Sequence, residues 1–165
     1  METRPKIKLQ LSSFDRALET AGLIGLVVLW GFTTFAYFNL PNTIPIHFGI
    51  SGKPDNYGSK ATLFIIPVLG TIIFYGLTIL NKHPNIFNYM TPITEENAPR
   101  QYGYATKALR FLKFSFMVTL NLVILFAFLN VIGKIEGIGA WFLPFIIGLI
   151  LIPTAYYIFK ALKVK

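Results

Sequence analysis

The side chains best suited to chemistry crowd into one stretch, residues 41–60, which holds His47, Asp55, Tyr57 and Lys60. Imidazole titrates near neutrality, and a carboxylate beside it favours the imidazolium. His47, Asp55 and Lys60 can therefore be read as general base, orienter and anion holder. The same groups can be read structurally. Asp55 then caps a turn, His47 bonds a carbonyl and Lys60 meets lipid phosphate.

Local sequence predicts how the stretch folds. Pro45 forbids a regular helix and holds Ile44 extended. Ile44, Ile46 and Phe48 alternate with Pro45 and His47, which predicts a short strand with His47 opposite Ile46. Gly52, Lys53, Pro54, Asp55 and Asn56 have turn chemistry, and the chain is expected to double back there toward Lys60.

Metal chemistry is poorly supplied, and no metal or other cofactor is expected. His47, Asp55 and Glu136 are the candidate ligands on one side, and His83 falls on the other. A structural zinc site wants four N or S ligands. No Ser-His-Asp spacing, nucleophile elbow or phosphate-cradling glycine loop is present. Gly49 and Gly52 alone read as turn geometry.

The positioning elements are apolar. Residues 21–40, 61–80, 114–133 and 137–159 contain no Asp, Glu, Lys, Arg or His. Each reaches the roughly 20 residues needed to cross hydrocarbon as a helix. The twelve Leu, Ile, Val and Phe residues of 61–80 contribute on the order of −5 kcal/mol to insertion, and one central charge would cancel about half of that. Only 13% of the chain is charged and 54% is hydrophobic, too little charge to coat a water-facing surface. The absence of Cys excludes a disulfide scaffold. The expected fold is an all-α integral membrane protein, 1–165 forming a single four-span domain. It has a structured extracytoplasmic loop at 41–60, an inner loop at 81–113 and a cytoplasmic amphipathic helix. The first span resembles a signal peptide in its basic flank, but its apolar length and the lack of a small-x-small cleavage site favour a retained helix.

Orientation follows from basic residues. Twelve of the 15 Lys and Arg lie in the N-terminal segment, the 81–113 loop and the C-terminal tail. Lys53, Lys60 and Lys134 make up the rest. The positive-inside rule then puts both termini in the cytoplasm, in a multi-pass cell-membrane protein. The net charge of +8 reads as topology, and no nucleic-acid partner is expected. The bilayer itself is the first partner.

Within the spans the polar residues are amides and hydroxyls, whose ordinary role is interhelical hydrogen bonding. Asn121 in particular needs a buried partner. Pro67, Pro144 and Pro153 are expected to kink or loosen their helices. Without ionisable groups in the spans, a pump or proton relay is disfavoured. In the inner loop, Thr94 or Asn97 can cap a helix, with Glu95 and Glu96 near its positive end. Lys107, Arg110 and Lys113 recur every three residues beside an apolar stripe of Tyr102, Ala105, Leu109, Leu112 and Phe116. This predicts an amphipathic helix on the inner surface whose basic face attracts anionic lipid.

The spacing Leu40-Pro41-x-x-Ile44-Pro45-x-His47-Phe48-x-x-x-Gly52-x-x-Asp55-x-Tyr57-x-x-Lys60 closely resembles the signature of a prokaryotic membrane family of unknown function. That module also occurs in SdpI-type immunity proteins, which protect a producer against a secreted peptide toxin. The inner run Thr94-x-Glu96-Asn97-Ala98-x-Arg100-Gln101-Tyr102, with Leu109, Arg110 and Lys113, is similar to that family's second conserved stretch. The resemblance implies functional roles for His47, Gly52, Asp55, Tyr57 and Lys60 outside, and for Glu96, Asn97, Arg100 and Tyr102 inside. It implies toxin immunity or signalling, with a peptide toxin or envelope ligand outside and a cytoplasmic regulator inside. The chain departs from the SdpI type in having four spans, fewer than that type has, and in Pro99 at the helix start. Two further classes fit the residues: a membrane enzyme using His47, Asp55 and Lys60 on the outer face, and an accessory subunit of a transporter.

Overall fold

The computed structural model describes residues 4–163. Lys165, counted above among the inner basic residues, lies outside them. Four helices long and apolar enough to cross a membrane dominate the chain. They are α1 (Ser13–Asn39), the segment Lys60–Leu80 that ends in α2 (Ile65–Leu80), α3 (Ala98–Val131) and α4 (Phe142–Leu162). A 3-10 turn, Lys60–Phe64, leads into α2. Between α1 and α2 stands a hairpin of β1 (Thr43–Phe48) and β2 (Pro54–Ser59).

The exposed side chains of the helices are those that lipid solvates. Val27 of α1, Ile72 of α2 and Ile152 of α4 are each more than 60% exposed. Such apolar faces have no place in water; in hydrocarbon they cost nothing. The faces turned inward are mixed. Leu29, Ala36, Leu40, Ile44, Leu63 and Ile124 form one buried cluster, and Leu26, Phe74 and Met117 a second.

Polar groups in the spans find partners, as lipid demands. Asn121 Nδ2 donates to the Gly25 carbonyl at 2.9 Å, tying α3 to α1. Ser115 Oγ donates to the Leu149 carbonyl of α4 at 3.0 Å. Trp30 Nε1 donates to Thr71 Oγ1 at 2.9 Å, joining α1 to α2. Thr34, Thr78, Thr119 and Thr154 instead return their hydroxyls to the carbonyl one turn back. Pro67 and Pro144 sit in the first turns of α2 and α4, where a missing N–H breaks no ladder. Of the three prolines expected to kink a helix, only Pro153 lies in a helix interior.

Cross-links define the two ends of the bundle. Arg4 reaches the Phe87 carbonyl at 2.5 Å, and Gln101 Nε2 reaches the Ala161 carbonyl at 3.0 Å. The N-terminal segment, the 81–97 loop and the end of α4 thus share one end, here the strap end. The hairpin and the 132–141 loop share the other, since Ile138 N–H donates to the Gly52 carbonyl at 2.8 Å.

The inner segment differs from a helix lying flat on a membrane. It is the first half of α3, continuous with the span. Arg110 and Lys113 point into the bundle and are 6% and 1% exposed. The three-residue spacing does put them on one face, but that face meets α1.

Candidate functional site

At the hairpin end, sequence fixes the geometry in steps. Strands pair antiparallel, Thr43 opposite Ser59 and Pro45 opposite Tyr57. The strict alternation expected from β1 is broken by register irregularities on both sides of His47. Ile44 and Pro45 are both buried, and Ile46 and His47 are both exposed. A bulge of this kind re-aims side chains. Here it brings His47 Nδ1 to 2.5 Å from Asp55 Oδ1, with both side chains at least half exposed.

The turn falls earlier than expected. Gly52 N–H donates to the Gly49 carbonyl at 2.8 Å, and Gly49 N–H to the Lys53 carbonyl at 2.9 Å. Pro54 therefore opens β2, a place where its lack of an N–H does no harm, and Asp55 bonds His47. Gly52 has φ +77, a conformation glycine adopts without steric cost. It also meets the 132–141 loop so closely that a Cβ on Gly137 would lie 2.3 Å from the Gly52 oxygen. The tip is docked backbone to backbone.

Lys60 is at the opposite end of the strand pair from His47. Its Nζ donates to the Leu40 carbonyl at 2.9 Å and lies 5.0 Å from the centre of the Tyr37 ring. It closes the C-terminal end of α1, so the structure joins His47 to Asp55 but gives Lys60 a separate task. Tyr57 is exposed on β2. Among the described residues, no group of three or more His, Cys, Asp or Glu side chains is placed to hold a metal ion.

At the strap end the predicted residues divide. Thr94 Oγ1 accepts from Asn97 N–H at 3.2 Å, and Asn97 Oδ1 accepts from Thr94 N–H at 3.0 Å. This reciprocal pair closes the turn that leads into α3. Tyr102 is fully buried and donates to the Pro5 carbonyl at 3.1 Å. Its ring packs on Tyr89, whose phenol burial pushes well above the usual range; the Tyr102 phenol adds to that and Arg4 opposes it. Glu96 and Arg100 are exposed. Asn97 and Tyr102 thus build the fold, while Glu96 and Arg100 face outward.

Sequence reasoning missed a charged network. Arg110 lies between Asp15 Oδ1 (3.5 Å) and Glu19 Oε1 (3.3 Å). Lys113 Nζ pairs with Glu19 Oε2, donates to Thr78 Oγ1 at 2.7 Å and lies over the Phe74 ring. Asp15 is also part of the capping box with Ser12 that starts α1. The network joins the strap-end turns of α1, α2 and α3. A signal was present: Asp15 and Glu19 are four apart, Arg110 and Lys113 three apart, so each pair shares a helix face. The opposite charges also precede their apolar stretches by similar distances.

Beside the network lies a cavity of about 680 Å³, bounded by the strap at residues 6–11, the end of α2, and Glu19 and Arg110.

The fold and its two polar ends define a multi-pass membrane protein with a docked hairpin on one face and a charged, strapped opposite face. Residues 24–71 match the model of a family described as a domain of unknown function, DUF1648. That range contains the hairpin and the whole His47-to-Lys60 run. The chain is also 33% identical over 86 residues to an uncharacterized protein of Archaeoglobus fulgidus, with 47% of each chain covered. It therefore spans about half the length of that relative. No solved structure matches the chain. Both likenesses support a membrane-type family of unknown function.

Proposed function

We propose that the chain is an SdpI-like, non-enzymatic immunity or sensor protein that recognises a peptide or envelope ligand on its hairpin. In this reading the hairpin is extracytoplasmic and the termini are cytoplasmic. The observation that carries it is the exposed His47–Asp55 pair on a two-stranded sheet. Among the described residues neither strand has a second strand neighbour, so an extended peptide can add main-chain hydrogen bonds along an edge. Ile50 at the tip is 92% exposed, and Ile46 and Tyr57 are exposed beside it. The pair supplies a polar contact and these residues an apolar one. The docking at Gly52 holds the recognition surface rigid before a ligand arrives, which lowers the ordering cost of binding.

The displacement of Lys60 to the end of α1 counts against the enzyme reading, because the anion holder is committed elsewhere. On the cytoplasmic side, the exposed Glu96 and Arg100 offer a regulator its contacts.

The test is survival of cells challenged with a panel of membrane-active peptides. The wild-type chain should protect, and His47→Ala and Asp55→Ala should lose protection at equal membrane abundance. Equal survival of cells with and without the chain across the panel would discard the proposal.

A further inference from the structure

The cavity at the strap end has its own chemistry, independent of the hairpin. The strap is extended, and its residues alternate. Ile7 and Leu9 are half-buried, while Lys6 and Lys8 are exposed, and all four line the cavity. Arg4 pins the strap to the 85–87 backbone and the Tyr102–Pro5 hydrogen bond holds it again. The Ser12 capping box fixes its far end. Lys82 faces it from the end of α2.

Three observations converge on one ligand chemistry. The side-chain ammonium groups of Lys6, Lys8 and Lys82 have no hydrogen-bond or ion-pair partner among the described residues. The carboxylate in the lining, Glu19, is committed to Arg110 and Lys113. The free charge facing the cavity is therefore positive. One buried polar atom of a lining residue also lacks a hydrogen bond: Asn81 Oδ1, which needs a donor. Asn81 is more than nine-tenths buried. Such groups are costly to leave unpaired.

We infer that this cavity binds a phosphate ester that carries a free hydroxyl. Phosphate oxygens satisfy the lysines, and the hydroxyl donates to Asn81 Oδ1. The volume of about 680 Å³ suits a small-molecule headgroup. The cavity lies where the apolar stretches of α1 and α2 give way to water, and Ile7 and Leu9 give it an apolar wall. Two sources share the chemistry: the glycerol-phosphate headgroup of an anionic lipid, and a soluble phosphate ester.

The experiment uses the full chain purified in dodecyl maltoside, with binding followed by native mass spectrometry and thermal shift. The probes are phosphatidylglycerol, phosphatidylcholine and soluble glycerol phosphate. Phosphatidylglycerol should bind selectively over phosphatidylcholine. The combined Lys6→Gln, Lys8→Gln, Lys82→Gln variant should weaken binding on the order of 100-fold, since each basic residue near an anionic lipid contributes roughly fivefold. Lys53→Gln with Lys134→Gln, at the hairpin end, should bind as wild type. The lysines are exposed, so the variants should keep the wild-type melting temperature without ligand. Lysine-dependent binding of glycerol phosphate in place of the lipid supports the same site with a soluble source. Equal binding of the two lipids, or no loss in the triple variant, would overturn the inference.

Discussion

Each end of the bundle holds a carboxylate against a basic side chain, yet the two arrangements do opposite things. His47 and Asp55 meet on a hairpin in water, with side chains 67% and 50% exposed. Arg110 and Lys113 meet Asp15 and Glu19 inside a three-helix contact, with the two cations and Asp15 below 10%. An exposed ion pair contributes about 0–1 kcal/mol. Breaking one partner out of a buried pair costs about 3–5 kcal/mol, because a charge is left unpaired in a low dielectric. The same contact is therefore free to serve recognition at one end and is committed to folding at the other.

The comparison breaks first at the buried end. Lys113→Leu should destabilise the chain by about 3–5 kcal/mol in denaturant titrations in detergent. Adding Glu19→Gln to Lys113→Leu should recover part of that loss, because the excess negative charge is gone and Arg110 balances Asp15. If the single variant melts like wild type, the network is not structural.

Docking of the hairpin comes next. Gly137→Val places atoms where the Gly52 oxygen already stands, and should cost about 1–3 kcal/mol. Hydrogen exchange at Ile138 should rise with it. Unchanged protection there would show that the tip is held by something else.

Asn121→Leu removes the α3-to-α1 amide bond and should cost about 0.6–1.7 kcal/mol, read from the same titrations. His47→Ala should shift stability by less than about 0.5 kcal/mol while removing peptide protection. That split between stability and survival is the sharpest contrast with Lys113→Leu.

The smallest effect is on pH. The Tyr89 phenol is raised above its unfolded value by burial. Its stabilising share is fully present below the unfolded value of about 10 and falls away as pH rises above it. Protease cleavage within residues 4–12 should increase above that pH in wild type and less steeply in Tyr89→Phe.

The fold was largely legible because hydrocarbon imposes a coarse rule. Four charge-free stretches predict four helices, and the structure has them. Helix lengths were less legible. α1 begins at Ser13 and α3 at Ala98, well before their apolar stretches, because capping and ion pairing extend a helix beyond the lipid. That extension hid the network. Asp15, Glu19, Arg110 and Lys113 lie outside the charge-free stretches, so they read as solvated flanks. Composition cannot say that two flanks meet; helix-face spacing can, once the acids and bases are compared.

The His47–Asp55 contact was legible as a possibility and its geometry was not. Strict alternation says nothing of a bulge, and the bulge is what re-aims His47. Lys60 is near His47 in sequence and not in space. A hairpin separates its base from its tip by its own length, and Lys60 is at the base. Tyr102 and Asn97 carry an expected functional role only through the family resemblance; in the structure both are buried, Tyr102 against the Pro5 carbonyl and Asn97 against Thr94.

The claim on which the rest depends is that hairpin and strap lie on opposite sides of a bilayer, the strap in the cytoplasm. The chain has no Cys, so single cysteines report without background. Ser51→Cys on the hairpin and Lys8→Cys on the strap should be compared in intact cells with a membrane-impermeant maleimide. The account predicts labelling of Ser51→Cys at once and of Lys8→Cys only after permeabilisation. Labelling of both from the same side, or of the strap alone from outside, would contradict it.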